Sequence, residues 1–205
     1  MNKSRFEAFT DGVFAFAITL LVLGFALPEL HDPSDQDLTA ALLKLWPNLI
    51  AYALSFGVIG IMWQNHHALF RLISRVDRKT VFLNLLLLAG TVFIPFATST
   101  LGSYPTMHAS TFLYGATLTW TATAFNLMLM HLVQSNGFYD DISKATITST
   151  VRAYRIGWLG YGAAMLLALW LPLLSFGMYL AIAVFYLVPR GVDSDIEATK
   201  RDISS

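Results

Sequence analysis

The segment Arg5-Phe6-Glu7-Ala8-Phe9-Thr10-Asp11-Gly12 runs directly into an apolar stretch from Val13 to Leu27. A membrane-spanning helix needs about 20 mostly apolar residues, so we predict a first span over residues 9–28. Ionisable groups at the mouth of a span are costly, and they are usually paired, face the interior of a helix bundle or line a water path. A polar cluster followed by an apolar stretch is therefore compatible with an ion path.

The composition of the whole chain indicates an integral membrane protein. Of its 205 residues, 56% are hydrophobic and 13% are charged, whereas a typical soluble domain is about 25% charged. The formal net charge is zero, which gives no support for a nucleic-acid partner. The absence of cysteine excludes disulfides, thiolate catalysis and cysteine metal sites. We expect a multi-pass protein of the cell (plasma) membrane.

Five further segments are long and apolar enough, or nearly so, to span a bilayer. The six predicted spans cover residues 9–28, 47–68, 81–101, 110–133, 153–171 and 173–189. The last two are separated only by Pro172, so we expect a tight helical hairpin there. The predicted fold is all-α, a six-helix membrane bundle over residues 1–190 that is followed by a polar cytoplasmic tail over residues 191–205.

The distribution of basic residues predicts the orientation of the spans. With six spans, one side of the membrane carries twelve of the thirteen lysines and arginines, and the other side carries only Lys44. Basic loops stay in the cytoplasm, so both termini are predicted to be cytoplasmic. The outer loop over residues 28–45 is acidic and is interpreted as a solvated loop, with local enrichment of cations at an entrance as the alternative.

Large apolar residues recur along the first span at spacings of three, four, three and four, which is the pattern of a helix that packs against copies of itself. They are Val13, Phe16, Leu20, Leu23 and Leu27. In lipid every face of a helix is apolar, so an ordinary stripe that faces lipid or the bundle remains an alternative. Thr19 lies beside these residues and could offer its hydroxyl to an ion or to a backbone carbonyl.

A ring of such side chains, one from each subunit, would form a hydrophobic constriction. Constrictions of this kind can gate by dewetting, and they can discriminate between ions by the cost of removing water. The Thr-Val-Gly-Tyr-Gly filter of ordinary potassium channels is absent from this chain.

The first span resembles that of the transmembrane protein 175 family, the endolysosomal potassium channels. The resemblance lies in the run from Arg5 through Phe9-Thr10-Asp11 to Leu23, where the family hallmark is Arg-x-x-x-Phe-Ser-Asp and Thr10 keeps the hydroxyl of the serine. Supporting matches are Trp63-x-x-His66-His67 in the second span and Pro95-Phe96-x-Thr98 in the third. The chain looks like a single-repeat prokaryotic member.

The resemblance implies a homotetramer whose first helix lines a central pore that potassium ions permeate without any cofactor. It also implies that Phe16, Leu20 and Leu23 form the constriction, with Thr19 close by. Phe16 departs from the family pattern, which usually has isoleucine or leucine at that level.

The hallmark residues are interpreted as structural rather than ion-binding. Arg5 and Phe9 are one helical turn apart, whereas Asp11 points elsewhere. Asp11 and its neighbour Thr10 are better placed to bond to neighbouring spans than to contact an ion. A buried pair between Asp11 and a histidine would be charge-assisted.

The expected partners of Thr10 and Asp11 are His66 or His67 and Thr98. Trp63 belongs to the same expected structural network. Buried amides such as Asn84 commonly join helices in membranes.

The pair His66-His67 invites comparison with a metal site. Adjacent helical residues diverge by about 100°, so the two imidazoles cannot easily share one ion. We therefore predict no metal site, and a helix-capping or inter-span hydrogen-bonding role for these histidines.

Two other functional classes were weighed against a passive potassium-permeable channel. A secondary or proton-coupled transporter usually has internal repeats, broken helices and a polar site at mid-membrane, and here Pro95 is the sole candidate for a break. A membrane enzyme would need clustered acids, bases or metal ligands at one depth, for which only Asp11 and the histidines are candidates. We expect a channel and not an enzyme.

Overall fold

The computed structural model describes residues 3–27, 29–30 and 34–187. Over these residues the chain is all-α, with seven α-helices and one short 3-10 helix. The α-helices are α1 (Lys3–Leu20), α2 (Asp35–Lys44), α3 (Trp46–Leu72), α4 (Arg78–Ser103), α5 (His108–Gln134), α6 (Lys144–Leu167) and α7 (Pro172–Leu187), and the 3-10 helix is Leu21–Gly24.

Each of the six predicted spans overlaps most of one helix, in turn α1 and α3 to α7. By length and composition, three segments qualify as membrane spans within the described residues, namely Lys3–Gly24, Trp46–Leu72 and Arg78–Ser103, and α7 is a shorter apolar helix. The helix α5 and the helix α6 are long enough to cross a bilayer, at 27 and 24 residues, so the count of six spans stays a prediction. The predicted tail over residues 191–205 lies outside the described residues.

The helix α2 was not predicted from the sequence, because residues 28–45 were interpreted as a loop. The start of this helix is encoded locally by a capping box. Ser34 accepts a hydrogen bond from the backbone N–H of Asp37, and the carboxylate of Asp37 accepts one from the backbone N–H of Ser34. Such reciprocal caps satisfy two backbone donors at once. The helix is short and lies in an acidic segment, so no long apolar run announces it.

The helix α4 forms the centre of the bundle and packs against α1, α3 and α5. It continues through Pro95 from Arg78 to Ser103, so the break for which this proline was the candidate is not found. Glycines in α4 allow the neighbouring helices to approach it closely. A side chain at Gly90 would collide with Thr121 and Trp120 of α5, and a side chain at Gly102 would collide with Asn48 of α3.

At one end of the bundle, the loop between α3 and α4 pairs with the loop between α5 and α6. Ile73 and Phe138 form an isolated antiparallel bridge, and the backbone N–H of Ser74 donates to the carbonyl of Gly137 at 2.8 Å. The terminus of α1 joins them, because Lys3 Nζ donates to the carbonyl of Ile73 at 2.7 Å. These contacts hold the start of α1 and the two loops together outside the apolar segments of the helices.

The same end carries a charged cap on α4. The backbone N–H and the hydroxyl of Thr80 both donate to Asp77 Oδ1 at 2.7 Å, and His131 Nε2 lies 2.8 Å from Asp77 Oδ2. Burial alone would raise the pKa of Asp77, but the bonds from Thr80 and the contact with His131 together lower it to about 2. Asp77 therefore stays ionised at the positive end of α4.

Candidate functional site

The helix α1 has two contrasting faces. One face of α1 and of the 3-10 turn that follows it is buried against α3 and α4. It carries five residues that are at most 3% exposed, which are Phe6, Thr10, Phe14, Ala17 and Leu21. Six exposed residues on another side of the helix form a stripe with spacings of four, three, four, three and four. We call these residues the α1 stripe, and they are Arg5, Phe9, Gly12, Phe16, Thr19 and Leu23.

The predicted constriction residues fall on or beside this stripe. Phe16 is 62% exposed and Leu23 is 74% exposed in the single chain, and Thr19 is exposed as well. Leu20 is only partly exposed, so it lies at the edge of the stripe and not on its crest. Thr19 Oγ1 donates to the carbonyl of Phe16 at 2.8 Å, a bond that leaves the lone pairs of this hydroxyl available.

The stripe changes its backbone geometry at its C-terminal end. After Leu20 the helix tightens into the 3-10 turn Leu21–Gly24, which carries Leu23. Gly24 lies against α4, where a Cβ atom would come within 3.1 Å of Ser99 Cβ. Ser99 Oγ donates weakly to the carbonyl of Gly24 at 3.4 Å. The turn therefore holds Leu23 outward while Leu21 stays buried.

A buried chain of hydrogen bonds attaches the middle of α1 to α4 and α3. Asn84 Nδ2 donates to Thr10 Oγ1 at 2.9 Å, and Asn84 Oδ1 lies 3.0 Å from His66 Nε2. All three residues are at most 1% exposed. The ring of His66 also stacks on Phe70 with a centroid distance of 4.1 Å. Sequence reasoning marked Asn84 only as a helix-joining amide and did not identify it as the bridge.

Asp11 has a different partner from the expected histidine. Its Oδ1 accepts a hydrogen bond from Trp63 Nε1 at 2.9 Å, and Trp63 in turn stacks near His67 with a centroid distance of 6.1 Å. The direct Asp–His pair is therefore wrong. The reason is helical geometry. Asp11 is rotated by about 100° from Thr10 around the axis of α1, so it lies away from the buried face of α1 that Thr10 turns towards Asn84 and His66.

Thr98 does not join the network of Thr10 and Asp11 either. Its hydroxyl donates to Ser55 Oγ at 2.7 Å, and Ser55 Oγ lies 2.9 Å from the hydroxyl of Tyr114. Thr98 lies fourteen residues after Asn84 on the same helix, which is about 21 Å along its axis. A single network was expected. The structure instead has two separate layers of buried polar contacts, at different depths of the bundle.

Arg5 and Phe9 lie on the α1 stripe, not in either buried layer. Arg5 is exposed, and the described residues give it no ion pair. Phe9 is also largely exposed. Among the described residues there is no group of three or more acidic, histidine or cysteine side chains that could hold a metal ion.

The sequence is similar to a protein-family model and to known channel proteins. The family model described as "Endosomal/lysosomal potassium channel TMEM175" matches residues 5–95. A potassium channel of Streptomyces collinus is 38% identical over 192 residues, which cover 91% of this chain and 92% of that protein. The human endosomal/lysosomal proton channel TMEM175 is 33% identical over 138 residues, covering 63% of this chain and 27% of the human protein.

A solved structure is similar over nearly the whole fold. The crystal structure of a lysosomal potassium-selective channel TMEM175 homologue from Chamaesiphon minutus gives a TM-score of 0.82 at 32% sequence identity. The match covers 91% of this chain and 96% of that one.

Proposed function

Because this chain belongs to the TMEM175 family of endosomal/lysosomal potassium channels, we propose that it is a potassium-permeable cation channel. Ions pass through it down their electrochemical gradient. It works as a homotetramer in which α1 of each subunit lines a central pore. The single observation that carries this proposal is the α1 stripe, a mainly apolar exposed surface on a helix whose opposite face is completely buried.

The topology that goes with this function has six spans and two cytoplasmic termini in the cell membrane. The asymmetry of twelve basic residues against one supports this orientation. The pairing of the loop between α3 and α4 with the loop between α5 and α6 supports it further, because both loops then lie on the cytoplasmic side. The lysine at the start of α1, Lys3, contacts the same loops.

The constriction forms where Phe16 and Leu23 of four subunits meet around the axis, with Thr19 between them and Leu20 at the flank. A ring of apolar side chains offers no ligands to replace the water around an ion. A sodium ion holds its water more strongly than a potassium ion, so it loses more on entering such a ring. Thr19 supplies four hydroxyls, one per subunit, at the level where partial dehydration is greatest.

The buried polar contacts serve assembly and positioning. Thr10 is fixed to Asn84 and His66, which sets the rotation of α1 about its own axis. A helix that rotated by one residue would turn Phe16 and Leu23 by about 100° away from the pore. Asp11 and Trp63 fix the same rotation at the edge of the buried face.

The alternative of a secondary or proton-coupled transporter is less well supported. A carrier of that kind usually has discontinuous helices at its substrate site. The candidate break at Pro95 lies within one continuous helix.

Flux of potassium and sodium into liposomes that contain the purified protein tests the proposal. We expect Leu23→Ala and Phe16→Ala to raise total flux and weaken discrimination between the two ions, because each variant widens the constriction. Leu159→Ala is the matched control, since Leu159 is 63% exposed on α6 and lies outside the α1 stripe. Unchanged flux in both α1 variants would place the pore elsewhere.

A further inference from the structure

The first half of α6 carries exposed basic side chains that have no partner. Lys144, Arg152 and Arg155 are all exposed, and α6 contains no aspartate or glutamate. Among the described residues these three side chains form no ion pair and no hydrogen bond. Asp140 and Asp141 precede the helix and do not pair with it. We call these three residues the α6 basic face.

The α6 basic face lies on one side of the helix. At about 100° per residue, Lys144 and Arg155 differ by about 20° around the axis, and Arg152 lies about 60° from Arg155. The two arginines are separated by about 4.5 Å along the axis, so both guanidinium groups can reach one anionic group. Guanidinium groups bind phosphate oxygens through two parallel hydrogen bonds, which makes a phosphate a suitable ligand.

An open depression of about 410 Å³ lies between Lys144 and Arg152, and Thr148 and Ser149 also line it. The hydroxyls of Thr148 and Ser149 already donate to backbone carbonyls within α6, at 2.8 and 2.9 Å. The donors that remain free for an anion are therefore the ammonium group of Lys144 and the guanidinium group of Arg152. The depression is wide enough for a head group and not only for a single ion.

The same side of α6 becomes apolar towards its C-terminal end. Leu159 is 63% exposed and Leu166 is 54% exposed, and both lie within about 40° of Arg155 around the axis. Along the axis they follow Arg155 by about 6 Å and about 17 Å. This side of the helix thus presents positive charge first and an apolar strip after it, which matches the order of head group and acyl chain in a phospholipid.

The position of α6 in the subunit leaves this side open to lipid. The helix packs mainly against α5 and α7, whereas α1 packs against α3 and α4. With α1 at the axis of the proposed tetramer, α6 belongs to the outer surface. The predicted span over residues 153–171 places Arg152 and Arg155 at its cytoplasmic boundary, and basic clusters next to a span on that side attract anionic lipids.

We propose that this side of α6 binds an anionic phospholipid of the cytoplasmic leaflet. The phosphate accepts hydrogen bonds from Arg152 and Arg155, and Lys144 adds a third positive charge across the depression. The acyl chains run along Leu159 and Leu166. This inference uses the proposed orientation of the spans but not ion permeation, so its failure would leave the proposed channel function intact.

Native mass spectrometry of the full-length protein in detergent tests the proposal. We expect the wild type to bind one dioleoylphosphatidylglycerol per subunit more tightly than it binds dioleoylphosphatidylcholine, which has the same chains and no net charge. Equal affinity for the two lipids would overturn the proposal. Glycerophosphoglycerol, the head group without its chains, should not displace the lipid at the same concentration, and displacement by it would indicate a site for a soluble anion instead.

Two matched variants separate the α6 basic face from the general charge of the protein. Arg155→Gln should lower the affinity for dioleoylphosphatidylglycerol by about fivefold, the usual effect of one basic residue near a lipid surface, and leave dioleoylphosphatidylcholine binding unchanged. Lys79→Gln removes the same charge from an exposed position at the start of α4 and should have no effect on either lipid. An equal loss in both variants, or no loss in Arg155→Gln, would contradict the assignment.

Discussion

At the scale of single residues, Thr10 shows what the hydroxyl in the first-span motif does. It accepts a hydrogen bond from Asn84 at a position that is fully buried. Serine would provide the same acceptor.

Replacing Thr10 with valine should destabilise the protein. Valine has the same shape but no acceptor, so Asn84 Nδ2 would be left buried without a partner, at a cost of about 1–3 kcal/mol. The measurement is thermal unfolding of the detergent-solubilised protein, with Thr10→Ser as the control that keeps the bond. Equal unfolding temperatures for the valine and serine variants would refute the role assigned to this hydroxyl.

Asp11 gives a second prediction at this scale. Asp11→Ala removes the acceptor of Trp63 Nε1 and should lower the yield of assembled protein more than it alters ion selectivity. Asp11→Asn keeps an acceptor oxygen and should recover much of the yield. Size-exclusion chromatography and liposome flux measure the two effects. A well-assembled Asp11→Ala protein with a changed ion preference would instead indicate direct contact with ions.

The residue partners were only partly predictable from the sequence. The residue types were visible, since a threonine, a histidine and an amide within apolar spans need hydrogen bonds. Which of these side chains contact each other depends on how far each helix is shifted and rotated against its neighbour. The periodicity of the sequence does not determine that shift or rotation. Asp11 and Thr98 were therefore assigned to the wrong partners, whereas Thr10 accepts its hydrogen bond from Asn84 of a neighbouring helix.

At the scale of elements, the long helices were the most predictable features. Extended apolar runs bounded by Pro172, by charged loops and by capping residues indicate them directly. The helix α2 was missed because its signal is a short capping box and not a long apolar run. The 3-10 turn that carries Leu23 was missed as well, because it depends on the close approach of Gly24 to Ser99 in α4.

The cap of α4 leads to a prediction about pH. The pKa of Asp77 is lowered to about 2 in the folded protein, compared with about 3.9 in an unfolded chain. Its contribution to stability is therefore complete above about pH 4 and is lost as the pH falls through about 2. Asparagine also caps helices well but does not titrate.

The measurement is the thermal unfolding temperature of the wild type and of Asp77→Asn between pH 5 and pH 2. We expect the advantage of the wild type to shrink steadily over this interval. A difference that stays constant with pH would show that the carboxylate of Asp77 has no linkage to folding.

At the scale of the whole molecule, a single chain leaves the α1 stripe without a partner. The described residues bury one face of α1 completely and expose Phe16 and Leu23 on the other. Four copies around an axis would convert this stripe into the wall of a pore. The sequence indicated which residues recur along the helix. Only the packing of α1 against α3 and α4 shows which face of α1 is buried and which is exposed.

The most direct test of this arrangement uses the absence of cysteine from the chain. Leu23→Cys and the control Leu159→Cys would each carry one thiol in an otherwise unreactive protein. The measurement is potassium flux in liposomes before and after addition of a water-soluble thiol reagent. The account predicts that the reagent blocks flux through Leu23→Cys and leaves Leu159→Cys unaffected. Block of Leu159→Cys with full flux through Leu23→Cys would contradict it.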